Sequence, residues 1–267
     1  MPIANARMYS ATPAAKKAWM EVLGWTLAQA GLGWEVVAHD APAPLAELWA
    51  RSDLGCALMC GLPYSQRAPR PTLIAAPLPS PGRYGGRPVY FTDIVVRADA
   101  RYATLEDTFG GVAGYTLPDS MSGCVAFRAH LLRYRNRHGS KLYRAAAGGF
   151  LNARRVIEAL DAGEIDVGPL DSYYHDLLRR NDPVLAAKVR VIESTGAVPI
   201  PPFVATASLA ASELERLRAA FLAASEASAL AAQRDTLLLA GFAVPPESHY
   251  DSIREILAAS RQFADAW

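Results

Sequence analysis

Two hydroxyls, a carboxylate and a glycine crowd into the end of the run Thr116-Leu117-Pro118-Asp119-Ser120-Met121-Ser122-Gly123. The stretch before it, Gly111 to Tyr115, is small and apolar and reads as a buried strand. The stretch after it, Cys124 to Arg137, places Val125, Phe127, Leu131, Leu132 and Tyr134 at helical spacing. A helix start leaves backbone N–H groups without partners, and the helix dipole adds partial positive charge there. Hydroxyls and amides gathered at such a start suit a small oxyanion. The same composition also describes a plain N-cap, in which a serine closes the first turn and nothing binds. Asp171, which opens another expected helix, has the same N-cap reading.

Little other chemistry is written in the chain. Cys56, Cys60 and Cys124 are odd in number and sit in apolar surroundings, which reads as buried thiols rather than a disulfide framework. The five histidines, His39, His130, His138, His175 and His249, are scattered, without metal-ligand spacing. We expect no metal and no cofactor. His130 and His138 lie among arginines on one helix and read as a solvated face. Asp166 lies near the start of an expected strand and reads as structural. Gly-x-Ser-x-Gly and glycine-rich phosphate loops are absent.

These residues must be held by a scaffold of alternating elements. At 267 residues the chain is long enough for one large or two modest domains with real cores. Its 51% hydrophobic and 20% charged content is that of an ordinary globular protein, and a net charge of +1 gives no support to nucleic-acid binding. Strand-like Ile3–Met8 is followed by a helix from Pro13 to Ala30, with Trp19, Val22, Leu23 and Leu27 on one stripe. Further strands are expected at 34–38, 55–60, 72–76, 89–97, 111–115, 143–147, 165–170, 188–193 and 203–206. Helices are expected at 43–51, 124–137, 151–162, 173–180, 210–224, 227–239 and 248–264. This alternation predicts an α/β fold with mostly parallel sheets flanked by helices. No flexible linker divides the halves, so Val89–Arg97 and Ile192–Val204 are the natural crossover segments. A discontinuous first lobe of 1–93 with 201–267 follows, carrying an inserted second lobe of 94–200. A cleft between them is the usual place for a small ligand.

Several segments together resemble the phosphate/phosphite/phosphonate group of ABC-transporter substrate-binding proteins, which have the type II periplasmic-binding fold. They are Tyr90-Phe91-Thr92-Asp93-Ile94-Val95-Val96-Arg97-Ala98-Asp99, Thr104-Leu105-Glu106-Asp107 and the pair Gly110-Gly111. Asp119-Ser120-Met121-Ser122-Gly123, the stretch Val156 to Gly168, Pro199-Ile200-Pro201-Pro202-Phe203-Val204, and Gly241-Phe242 with Tyr250 complete the set. The resemblance implies two lobes joined by two crossover strands and hinge closure over a small anionic or zwitterionic ligand. It implies that Ser120 and Ser122, with the amides of Met121 through Gly123, hold phosphoryl oxygens. Met121 stands where the family often has a hydroxyl residue. Tyr9, Tyr64 and Tyr90 would line the other wall. Phe150 would add an apolar surface, Gly149-Phe150 replacing the family's usual Ser-His. Asp171 would be either a helix cap or a carboxylate meeting an ammonium group on the ligand. The partner implied is a transporter permease. An enzyme on the same fold acting on a small carboxylate, like the menaquinone-pathway dehydratases, is the alternative, with Asp171 or Tyr64 as its acid or base. No secretory signal is visible at Met1 and no run approaches the ~20 apolar residues of a membrane span. The expected location is the periplasm if a signal has been removed, and otherwise the cytoplasm.

Overall fold

The structure is a computed structural model that describes residues 1–262 and 267, without the side chain of residue 136. The chain divides into two compact units, 1–89 with 199–250 and 90–198 with 251–267. Elements are numbered here in chain order.

In the first unit the short β1 (Ile3–Asn5) is wholly buried and feeds α1 (Pro13–Gln29). Thr12 caps that helix by accepting the Ala15 N–H at 3.2 Å, and Pro13 occupies the first helical position, where its missing N–H costs nothing. The buried face of α1 carries Ala15, Trp19, Val22, Leu23 and Leu27. Fully burying each large aliphatic side chain stabilises the fold by about 1.5–3 kcal/mol. After β2 (Glu35–Val36) and α2 (Leu45–Ala50), β3 (Leu54–Leu58) is buried at every residue, as a central strand should be. Gly55 is required there, since a Cβ would fall 2.6 Å from the Trp34 ring. A short α3 (Gly61–Gln66), β4 (Thr72–Pro79), β12 (Phe203–Ala205), α8 (Ala211–Ala223), α9 (Ala231–Thr236) and β13 (Leu239–Ala243) complete the unit. The sheet runs β13-β4-β12-β3-β1-β2. It is mixed: β1 is parallel to β2 and β3, whereas β12 and β13 pair antiparallel. The two chain crossings, β5 (Val89–Tyr90) and β11 (Val198–Pro199), run side by side as a two-stranded ribbon.

The second unit is built on β6 (Thr92–Arg97), which pairs antiparallel with β9 (Gly168–Asp171) and β10 (Val189–Ser194). β7 (Val112–Gly114) lies parallel to β8 (Ala145–Ala147). Helices α4 (Ala126–His138), α5 (Ala153–Asp161), α6 (Ser172–Asn181), α7 (Pro183–Ala186) and α10 (Asp251–Ser260) surround these strands. Ile94, Val96, Phe127, Leu131 and Val167 form its core. A polar tie runs through this core. His175 Nδ1 lies 2.9 Å from Asp93 Oδ2, and the Ser194 hydroxyl donates to Asp93 Oδ1 at 2.9 Å. Both His175 and Asp93 are fully buried, so β6, β10 and α6 are fixed to one another by groups that water cannot compete for.

Four expectations differ from what is found. The sheets are not mostly parallel: β12 and β13 return antiparallel in the first unit, and β6 pairs antiparallel with both β9 and β10 in the second. The helix read over 227–239 ends at Thr236. Leu238 takes a positive φ of 48°, which ends the helix, and Leu239 begins β13. The segment 251–267 does not stay with the first lobe, because α10 packs on α4 in the second unit. The end of its expected helix, residue 264, lies outside the described residues. Finally, the arginine-rich helix is not a uniformly wet face. Arg135 is buried, and His130 is tucked beside Glu193 with its Nε2 3.3 Å from Oε1. Arg133 and the Tyr134 hydroxyl, the latter at 2.7 Å, share that carboxylate.

Candidate functional site

β7 delivers the chain to Tyr115 and Thr116, and the serine turn begins there. Ser120 has extended backbone angles, φ −84° and ψ 124°, and its Oγ accepts the Gly123 N–H at 3.1 Å. The Val125 N–H reaches back to the Ser120 carbonyl at 3.1 Å, five residues away. Met121–Val125 is therefore one wide π-turn that runs straight into α4. Such turns recur at functional sites. The Thr116 N–H donates to the Gly123 carbonyl at 2.9 Å, pulling the two ends of the loop together. Only glycine fits where they meet: a Cβ on Gly123 would lie 1.8 Å from Thr116 Oγ1 and 2.8 Å from Ser120 Oγ.

Ser122 is buried, and its hydroxyl donates to Asp171 Oδ2 at 3.3 Å. Its carbonyl accepts the hydroxyl of Thr92, itself buried, at 2.9 Å. Thr92 pairs in register with Asp171 across β6 and β9, so one strand pair positions both partners of Ser122. Asp171 caps α6, its Oδ1 accepting the N–H groups of Tyr173 and Tyr174 at 3.0 Å each. Two helix N-termini, each with partial positive charge, thus start side by side, with one carboxylate between them. Burial, reinforced by Asp171, raises the Tyr173 phenol well above its usual range, so it stays neutral. Burial likewise lifts the Cys124 thiol to about 11, which rules it out as a nucleophile at neutral pH.

Of the residues singled out from the sequence, this unit brings together Ser120, Met121, Ser122, Gly123 and Asp171. Met121 is fully buried, so its side chain packs into the unit's interior where the family often has a hydroxyl. The Gly123 amide, expected to be a ligand donor, is taken by the Ser120 hydroxyl instead, because the cap geometry aims it there. Phe150 is half-buried in the loop after β8, and the neighbouring Gly149 N–H donates to the Thr116 carbonyl at 2.8 Å. Tyr90 lies fully buried in β5. Tyr9 and Tyr64 belong to the first unit and are also buried, Tyr64 meeting Tyr250 edge to face with ring centres 4.9 Å apart. Asp166 is structural, as expected: it accepts the Val112 N–H at 2.7 Å and the Tyr102 hydroxyl at 3.0 Å.

Sequence reasoning overlooked Thr92, Thr116 and Trp267. The signal for Thr92 was available, since it precedes the buried run Ile94–Val96 as one of two polar residues. Trp267 had no such signal. Its ring stacks on Tyr115, 5.2 Å between centres and 11° from parallel, and lies 5.8 Å from Phe127. Its carbonyl accepts the N–H groups of Leu142 and Tyr143 at 3.0 and 2.9 Å.

A family model for the periplasmic substrate-binding protein of phosphonate ABC transporters matches residues 14–250, and the chain belongs to that family. No curated protein sequence matches it. Solved structures similar in fold include the binding-protein component of a Pseudomonas aeruginosa ABC phosphonate transporter. That similarity has a TM-score of 0.80 at 17% identity and covers 98% of this chain and 87% of the other. PhnD1 from Prochlorococcus marinus in complex with methylphosphonate gives 0.76 at 15% identity, covering 96% of each chain. A Xanthomonas citri protein bound to ATP gives 0.65 at 17%, covering 98% of each. At these identities the likeness is one of fold, the two-unit α/β architecture of type II periplasmic binding proteins. Among the described residues no helix is long and apolar enough to cross a membrane.

Proposed function

We propose that this chain captures a small phosphonate-type oxyanion on the Ser120–Gly123 turn and delivers it to a transporter permease in the periplasm. The observation that carries the reading is the preset turn, in which Ser120 caps the Gly123 N–H and Ser122 is held against Asp171 where the chain enters α4. Such a site binds charge by fixed dipoles, and no covalent step is needed. Family membership supports the ligand class, and the methylphosphonate held by PhnD1 gives a concrete probe. Tyr9, Tyr64, Tyr90 and Phe150 remain proposed contacts, carried by the family pattern, as does closure around the ligand.

Isothermal calorimetry with methylphosphonate tests the assignment. Replacing both serines, Ser120→Ala with Ser122→Ala, is expected to weaken binding by about 1–3 kcal/mol or more. An unchanged affinity would remove the turn from the site.

A further inference from the structure

The two serine hydroxyls of the turn play opposite parts in its hydrogen bonds: Ser120 accepts and Ser122 donates. A serine has one proton to give and two lone pairs to accept with. Ser120 Oγ accepts the Gly123 N–H, and among the described residues its own proton meets no acceptor. It remains available as a donor. Ser122 Oγ gives its proton to Asp171 Oδ2, the sole acceptor it meets among the described residues. Towards a ligand it therefore offers lone pairs. Asp171 cannot return a proton while ionised, because a carboxylate only accepts, and it already takes two N–H groups from α6. The turn accordingly presents one donor hydroxyl and one acceptor hydroxyl, with a fixed negative charge behind the acceptor.

From this arrangement we infer that the turn selects an oxyanion bearing one proton, such as a monoanionic phosphonate, over a fully deprotonated oxyanion such as a sulfonate. The ionised oxygens take the Ser120 proton and the amides. The ligand's own P–OH donates to Ser122. A sulfonate of the same shape has no proton to place there and meets lone pairs with lone pairs. The inference rests on the assignment of the turn proposed above.

The test is calorimetry at about pH 5.5, below the second ionisation of phosphoryl groups near 6. The probes are methylphosphonate and methanesulfonate, titrated into the full chain. Methylphosphonate should bind at least about tenfold tighter, the range of a hydrogen bond to a charged group. Ser122→Ala should weaken methylphosphonate and bring the two ligands within about threefold, whereas Ser120→Ala should weaken both alike. Asp171→Asn keeps a good helix cap and, through its amide N–H, turns the Ser122 proton outward, so it too should erase the preference. Equal affinities in the parent, with both serine variants still weakened, would overturn the selectivity and leave the site standing. Methylphosphonate binding indifferent to both serines would overturn the site, and this inference with it.

Discussion

Replacing Gly123 by alanine tests the construction of the turn directly. The new Cβ would stand 1.8 Å from Thr116 Oγ1 and 2.9 Å from Thr116 Cβ. Thr116 has little freedom to retreat: it is buried, its N–H is bonded to the Gly123 carbonyl, and its carbonyl accepts the Gly149 N–H. Overpacking of this kind costs about 1–3 kcal/mol. If the turn yields instead, the Ser120 cap on the Gly123 N–H is lost, at about 1 kcal/mol. We expect Gly123→Ala to destabilise the protein by about 1–3 kcal/mol, lowering Tm by roughly 2–12 °C at this chain length. Thr116→Ala removes the nearer of the two obstructing atoms. The double variant should therefore be about 1 kcal/mol more stable than the sum of the single effects predicts. Urea unfolding of the four proteins measures this cycle. A Gly123→Ala protein within about 0.5 kcal/mol of its parent, or no coupling to Thr116, would refute the described turn.

Two further outcomes follow from neighbouring groups. Thr92→Val keeps the shape but leaves the Ser122 carbonyl without its donor, which should cost about 1–3 kcal/mol and weaken methylphosphonate binding. Thr92→Ser should restore both, and a valine variant equal to its parent in Tm and affinity would contradict the contact. His130 is held at about 4, below its ordinary 6.5, first by burial and then by Arg133. The unfolded chain binds the extra proton between those values, so stability should be complete above pH 6.5 and fall as the solution is acidified towards 4. Urea midpoints measured across that window should flatten in His130→Gln, and an unaltered slope would exclude His130 as the source.

What was legible in the sequence was local. The Ser120 and Asp171 caps, the apolar stripe of α1 and the buried run of β3 are each written within a few consecutive residues, and the family pattern added their order. What was not legible depends on residues far apart in the chain. The Leu237-Leu238-Leu239 run looks helical in isolation, yet Leu239–Ala243 is drawn into a strand by pairing with β4. The apolar face of α10 shows that it must pack somewhere, but its partner, α4, lies more than a hundred residues earlier. The site divides the same way. A serine-rich helix start is visible as such, and so is the local Ser120 cap on the Gly123 amide, while the partners of the Ser122 hydroxyl and carbonyl are Asp171 and Thr92, which only folding brings near.

Trp267 gives the molecule a built-in optical probe. The other four tryptophans, Trp19, Trp25, Trp34 and Trp49, all lie in the first unit, so indole emission from the second unit comes from this residue alone. Its ring rests on Tyr115, the residue that leads into Thr116, with Arg128 5.6 Å from its centre. With the other four tryptophans changed to phenylalanine, the remaining emission would report the electrostatic surroundings of the strand end that feeds the serine turn. If the turn is occupied as proposed, its filling would be followed in real time, without a label, by the colour and intensity of one residue.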